Sequence, residues 1–169
     1  GVWFGMDTNN SETVIPLGLD YYDATGAHVG SWGPGIPAGS LVRSGKIRAV
    51  TVDKVGRVWM GYAGAANSGV DHFKGLPEAG PTSDFKTVSG TTSFDVWAIV
   101  AHGDSIWVLT DRDLRRISRT SIPPRLVSLS YETPAGRPLG MRLMDVAPNG
   151  EVYVGSEEGV RRYRRDGTS

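Results

Sequence analysis

Cysteine is absent from the 169 residues, which excludes disulfides and thiolate metal sites. That absence leaves the compartment open, because many exported bacterial proteins also lack Cys. No run of about 18 apolar residues occurs, so no segment reads as a membrane-spanning helix. Net charge is missing too: 18 Lys and Arg balance 18 Asp and Glu, giving no electrostatic reason to expect nucleic acid or an anionic membrane surface. A helical pattern is the last absence. No stretch keeps apolar residues at helical spacing over three turns, and many short Val/Ile/Trp/Tyr runs lie between Gly, Asn, Asp and Pro. With 23 Gly and 10 Pro, the composition points to an all-β chain with almost no helix.

The two charge signs are spread unevenly. Residues 1–100 carry 7 basic against 9 acidic residues, and residues 101–169 carry 11 against 9. Arg161, Arg162, Arg164 and Arg165 form a basic cluster that could meet an acidic partner, although solvated side chains along an exposed strand account for it as well.

Self-similarity organises the chain. Val2-Trp3-Phe4-Gly5, Val58-Trp59-Met60-Gly61, Ile106-Trp107-Val108-Leu109 and Val152-Tyr153-Val154-Gly155 align, with their aromatics 56, 48 and 46 residues apart. Such spacings fit one four-stranded unit per repeat. An apolar strand precedes three of the aromatics (Ile47 to Asp53, Val96 to Ala101, Met141 to Ala147), joined by turns rich in Asp, Asn and Gly. A third strand follows each aromatic, at Leu19-Asp20-Tyr21-Tyr22, Val70-Asp71-His72-Phe73, Leu114-Arg115-Arg116-Ile117 and Val160-Arg161-Arg162-Tyr163. Weaker fourth strands are expected near Ala27–Trp32, Asp84–Ser89 and Arg125–Tyr131. In the aromatic strand, Val58 and Met60 are expected to face one neighbouring unit, and Trp59 and Gly61 the other. Burial on both faces explains its continuous apolar run. Gly61 is expected where a neighbouring backbone comes close, and the third strand, nearer solvent, should alternate in part, as Leu19 and Tyr21 do against Asp20 and Tyr22.

These repeats predict a β-propeller of four-stranded antiparallel blades, with strands a to d running outward from the axis. The expected division is a partial blade b-c-d with its connection at 1–45, full blades at 46–95 and 96–140, and a partial blade a-b-c at 141–169. The chain opens on an apolar strand with no initiator Met or signal peptide, so it is expected to be a processed or excised segment. The two partial blades overlap in b and c and cannot complete each other. An arc of a six- to eight-bladed ring is therefore expected, with a four-bladed closed ring as the alternative. Open end blades would favour contact with further blades or another chain.

Asp53-Lys54-Val55-Gly56-Arg57-Val58-Trp59-Met60-Gly61-Tyr62 followed by Gly69-Val70-Asp71-His72-Phe73 resembles the propeller repeats of bacterial two-component sensor ectodomains. Gly159-Val160-Arg161-Arg162-Tyr163 and Gly18-Leu19-Asp20-Tyr21-Tyr22 match the last element of that repeat. In the third repeat, Leu109 and Asp113 replace the expected glycines. The resemblance implies a periplasmic or extracellular module that senses a ligand or contacts a protein, and it carries no catalytic residues with it. Streptogramin lyases are similar in their repeated aromatic strand, but their Thr-Glu after the aromatic is absent here. Thr51 to Trp59 misses the sialidase Asp-box by one residue, and His28, His72 and His102 show no sign of converging; each is expected to be exposed or packed at an edge.

The b–c loops are the expected binding elements, since loops at one end of the blades can gather round the axis. Their candidate ligand-binding residues are Asp7, Asn9, Asn10, Asn67, Asp111, Arg112, Glu157 and Glu158. Oxygen-rich side chains suit a hard cation, and Asp7 and Glu12 are the candidates for Ca²⁺; no other cofactor is expected. The leading expectation is a non-enzymatic module of an exported bacterial protein that binds a small ligand, a glycan or a protein partner. The alternatives are a propeller enzyme of the lyase or lactonase type, with its catalytic residues outside this segment, and a structural repeat in a larger assembly.

Overall fold

In the computed structural model, the described residues are 1–5, 18–34, 42–43, 46–64, 68–74, 86–88, 91, 94–111, 113–119, 125–127 (backbone alone), 143–156 and 159–164. They form fourteen strands and, among themselves, no helix. β1 (Val2–Gly5), β2 (Leu19–Tyr22) and β3 (His28–Trp32) make a first antiparallel sheet. β4 (Ile47–Val52), β5 (Arg57–Tyr62), β6 (Gly69–Lys74) and β7 (Lys86–Thr87) make the second. β8 (Val96–His102), β9 (Ser105–Thr110), β10 (Leu114–Ser118) and β11 (Arg125–Val127) make the third, and β12 (Leu143–Val146), β13 (Val152–Ser156) and β14 (Gly159–Tyr163) the fourth. Each sheet is a meander in which sequence neighbours pair. Successive sheets meet along β1 and β4, β4 and β8, and β8 and β12, a propeller-like stacking.

Three apolar cores fill the gaps between these sheets. Leu19, Trp32, Ile47, Val58, Met60, Tyr62 and Phe73 form the first, with Trp3 and Tyr21 packed against it. The second joins Trp59 and Val70 to Val96, Ile99, Ile106, Val108 and Ile117. The third joins Trp107, Leu109 and Leu114 to Val152, Val154 and Tyr163. Alternation along β5 thus sends Val58 and Met60 to the first sheet and Trp59 to the third, as the doubly buried pattern predicted. Each fully buried Val or Ile contributes about 1.5–3 kcal/mol by leaving water.

Gly61 does mark a close approach, but to a side chain rather than to a backbone. A Cβ there would stand 2.3 Å from Val96 Cγ1 and 2.8 Å from Val96 Cβ. Gly5 meets Ile47 in the same way, with Ile47 Cγ2 at 2.5 Å. Two further expectations are corrected. β6 is buried from Gly69 to Phe73 instead of alternating, because neighbouring sheets cover both of its faces. His72 is accordingly buried, its ring 4.5 Å from that of Trp59, and is neither exposed nor at an edge.

The turns between the first and second strands of the second and fourth sheets follow one plan. Asp53 N–H donates to Arg57 O, and Gly56 N–H donates to Asp53 O, both at 2.9 Å. Asp53 Oδ1 accepts from the backbone N–H of Val55 and Arg57, while Oδ2 accepts from Trp59 Nε1 at 3.1 Å. The fourth sheet repeats the backbone pattern, from Ala147 N–H to Glu151 O and from Gly150 N–H to Ala147 O. Gly56 and Gly150 lie at φ of 80° and 87°, where a Cβ is disfavoured. Asp104, in the third sheet's turn, accepts from Lys54 at 2.9 Å and pairs with Arg119, so it ties the second and third sheets together. These hydrogen bonds to Lys54 and Arg119 hold its carboxyl below the usual range.

The outer faces of the first and last sheets have no such cover among the described residues. Val2 and Phe4 are 53% and 51% exposed and line a cleft of about 560 Å³ with Tyr22. Leu143 and Val160 are exposed on the last sheet.

The close approach at Gly61 has a measurable consequence. Gly61→Ala should destabilise the protein by about 1–3 kcal/mol, since Val96 must shift to admit the methyl group. Gly155→Ala should be near neutral, because its Cβ would meet Leu143 Cβ at an ordinary 3.5 Å. Urea denaturation of the two variants compares them directly, and equal losses would contradict the packing described.

Candidate functional site

Two matching irregularities shape the end of the sheets that carries the b–c loops. β4 pairs with β5 through Ile47↔Tyr62 and Ala49↔Gly61, leaving Arg48 as an extra residue. β8 pairs with β9 through Val96↔Thr110 and Ala98↔Leu109, leaving Trp97 extra at the equivalent position. Such bulges re-aim a side chain out of the regular pleat. Here they bring Arg48 over the Trp97 ring, with the guanidinium carbon 4.1 Å from the ring centroid. Trp97 also packs against the third core. A guanidinium resting on an indole is worth about 0.5–1 kcal/mol when exposed and more when desolvated.

Acidic residues next to this pair are held by the backbone. Asp95, two residues before Trp97, accepts from Gly64 N–H at 2.8 Å, which ties it to the loop after β5. Asp111 N–H donates to Asp95 O at 2.9 Å, and Asp111 Oδ1 accepts from Asp95 N–H at 3.1 Å. Beyond Asp111 the turn is locked by Thr110, whose hydroxyl donates to Asp113 Oδ1 at 2.8 Å; Arg115 Nε donates to the same oxygen at 2.7 Å. Arg115 in turn lies over Phe94. The end of the third sheet is therefore a fixed frame of alternating charge.

A partly buried ion pair joins residue 43 to β6. Arg43 Nε donates to Asp71 Oδ2 at 2.6 Å, and the Arg43 guanidinium sits 5.0 Å from the centre of the Tyr62 ring. Asp71 is fully buried, and its Oδ1 and Arg43 Nη2 have no hydrogen-bond partner. Burial raises the Asp71 carboxyl above its ordinary range, against the opposing pull of Arg43. Burial, and then the charge of Asp71, push the Tyr62 phenol well above its usual value. Such a pair costs desolvation energy and fixes geometry, here anchoring residue 43 to the middle of β6.

Of the loop candidates, Asp111 is among the described residues and joins this frame. Asp7, Asn9, Asn10, Asn67, Arg112, Glu157 and Glu158, with the calcium candidate Glu12, lie outside them. Among the described residues, no group of three or more His, Asp or Glu side chains is placed to hold a metal ion. The three histidines fall in β3, in β6 and at the end of β8. Reading the sequence missed Arg48, Trp97, Asp95, Arg43 and Asp71. A bulge leaves no local signature, and the partner of Asp71 is 28 residues away. Two acidic residues at the same position of successive third strands, Asp20 and Asp71, were the one available hint.

No protein-family model matches the chain, and no curated protein matches it. Among solved structures it is similar to the extracellular domain of a one-component system from B. thetaiotaomicron. That match has 17% identity and a TM-score of 0.57, over 90% of this chain and 18% of the other. It is also similar to PorZ, a surface component of the type-IX secretion system of Porphyromonas gingivalis, at 18% identity and a TM-score of 0.51. That match covers 83% of this chain and 18% of PorZ. A virginiamycin B lyase from Staphylococcus aureus matches at 15% identity and a TM-score of 0.48, over 70% of this chain and 41% of the lyase. The chain thus spans under a fifth of the first two of these proteins. At these identities the likeness to the first two shows a shared all-β, propeller-like fold.

The ion pair makes a prediction that separates burial from attraction. Arg43→Met should cost about 3–5 kcal/mol by removing the one cation that pairs with the buried Asp71 carboxylate among the described residues. Adding Asp71→Leu should restore most of that loss. Acidification should also return part of it, because Asp71, its carboxyl already raised, takes up a proton more readily folded than unfolded. Denaturant titrations at neutral and mildly acidic pH measure all three effects, and equal instability of the single and double variants would refute a buried charge.

Proposed function

We propose that this chain is an arc of a larger propeller ring of the sensor-ectodomain type, exported to the periplasm or cell surface, and that it binds a polar ligand without chemical turnover. The observation that carries this reading is the pair of aligned bulges. They set Arg48 on Trp97 beside the backbone-fixed Asp95 and Asp111. Guanidinium donors and carboxylate acceptors on a rigid aromatic base are suited to a hydroxyl-rich ligand such as a glycan. The uncovered apolar faces at Val2 and Phe4, and at Leu143 and Val160, support a ring with further blades. Two of the similar structures come from an extracellular domain and a surface component, which supports export.

An array of neutral and acidic oligosaccharides, followed by calorimetry on any hit, tests the reading. Arg48→Ala and Asp111→Ala should each weaken binding at least tenfold, and the oligosaccharide should be recovered intact. Binding that survives both substitutions, or a cleaved product, would sink it.

A further inference from the structure

At the opposite end of the sheets, the third sheet departs from the second in one residue that changes the local chemistry. In the second sheet, Thr51 pairs with Trp59, and Asp53 follows two residues later to close the turn onto Arg57. In the third, Val100 pairs with Trp107, and His102 follows two residues later, paired with Ser105. His102 therefore occupies the position of Asp53. Residues two apart on a strand share a face, as do cross-strand partners. Asp53, Trp59 and His72 share one face of the second sheet, and His102, Trp107 and Arg116 share the same face of the third.

The exchange removes an acceptor and leaves donors. Trp59 donates its indole N–H to the Asp53 carboxylate. Trp107, 2% exposed, makes no hydrogen bond through its indole N–H to any described residue; its one ring contact is Arg116, 6.0 Å from the centroid. Arg116 Nε is buried and likewise has no hydrogen-bond partner. Both side chains line a groove of about 320 Å³ between the third and fourth sheets, together with His102, Asp104 and the turn Pro148-Asn149-Gly150. In the second sheet, by contrast, Arg57 Nη1 reaches His72 Nδ1 at 3.4 Å. An unpaired buried donor such as Arg116 Nε is costly, and the Trp107 indole N–H has no partner among the described residues either, so the groove is suited to an acceptor. The negative charge of Asp104 in the lining is taken up by Lys54 and Arg119.

We propose that this groove binds a small carboxylate, which takes the place at Trp107 and Arg116 that the Asp53 side chain takes at Trp59. The guanidinium supplies the charge-assisted hydrogen bond, the indole N–H a second donor, and the His102 ring closes the mouth. The site lies at the other end of the strands from Arg48 and Trp97 and is independent of the function proposed for that end.

The probe is malonate, followed through the indole N–H resonances of ¹⁵N-labelled protein at constant ionic strength. The Trp107 signal, assigned with Trp107→Phe, should move saturably, while that of Trp59 stays fixed. Arg116→Gln should weaken binding at least tenfold, and uncharged malonamide should leave the signal unmoved. His102→Asp should install the internal carboxylate of the second sheet, moving the Trp107 signal without ligand and abolishing malonate binding. The proposal is overturned by a Trp107 signal that does not saturate, by an equal response to malonamide, or by wild-type affinity in Arg116→Gln or His102→Asp.

Discussion

Val58 to Tyr62 of β5 are buried from both sides, and that double burial sets the terms for the rest of the molecule. A meander of three or four short strands is marginal alone, because one sheet cannot hide its own apolar faces. Each sheet here is completed by its neighbours, so stability accrues interface by interface, as in other repeat architectures. Close contact also explains why small residues recur. Gly5 and Gly61 stand where the first strand of the next sheet presses in, and in both cases a branched side chain, Ile47 or Val96, takes the space. In the third repeat, Leu109 fills that position and is itself buried in the third core.

Packed centres leave chemistry to the ends. A substitution in β5 or β9 meets two neighbouring sheets, whereas a change in a turn meets mostly solvent. The residues able to act as donors and acceptors lie accordingly: Arg48, Trp97, Asp95 and Asp111 at one end, His102, Trp107 and Arg116 at the other. Asp71 and Arg43 are the exception. Asp71 sits inside the first interface, and the partly exposed Arg43 supplies the cation that pairs with it there.

The strands could be read because period-two burial and turn chemistry are local. Trp59, Trp107 and Tyr153 each mark the second strand of a sheet and Trp3 the first, and the facing of Val58, Met60 and Trp59 followed from alternation alone. What failed to show was set by distance. His72 and Asp71 looked like the polar half of an alternating strand, but their burial depends on a neighbouring sheet and on Arg43, which lies in a connection rather than a strand. The bulges at Arg48 and Trp97 were equally hidden, since register is a property of two strands together. For the candidate loops, only Asp111 could be placed, and its role there is to fix Asp95 as much as to face a ligand.

Divergence between repeats says more about chemistry than their agreement does. Asp53, His102 and Ala147 hold one position in three turns, and the aromatic beside them is Trp59, Trp107 and Tyr153. With Asp53 the indole is satisfied internally, and the turn is a closed structural device. In the fourth sheet Ala147 offers no side-chain partner, and Tyr153 donates its hydroxyl instead to Glu151. Only the third repeat pairs an indole with a basic residue and lacks the acceptor. Trp107 serves two ends there: it belongs to the third core and also lines the groove. A residue that the motif marks as structural is, in this one repeat, also an unpaired donor, which is why the motif conceals it.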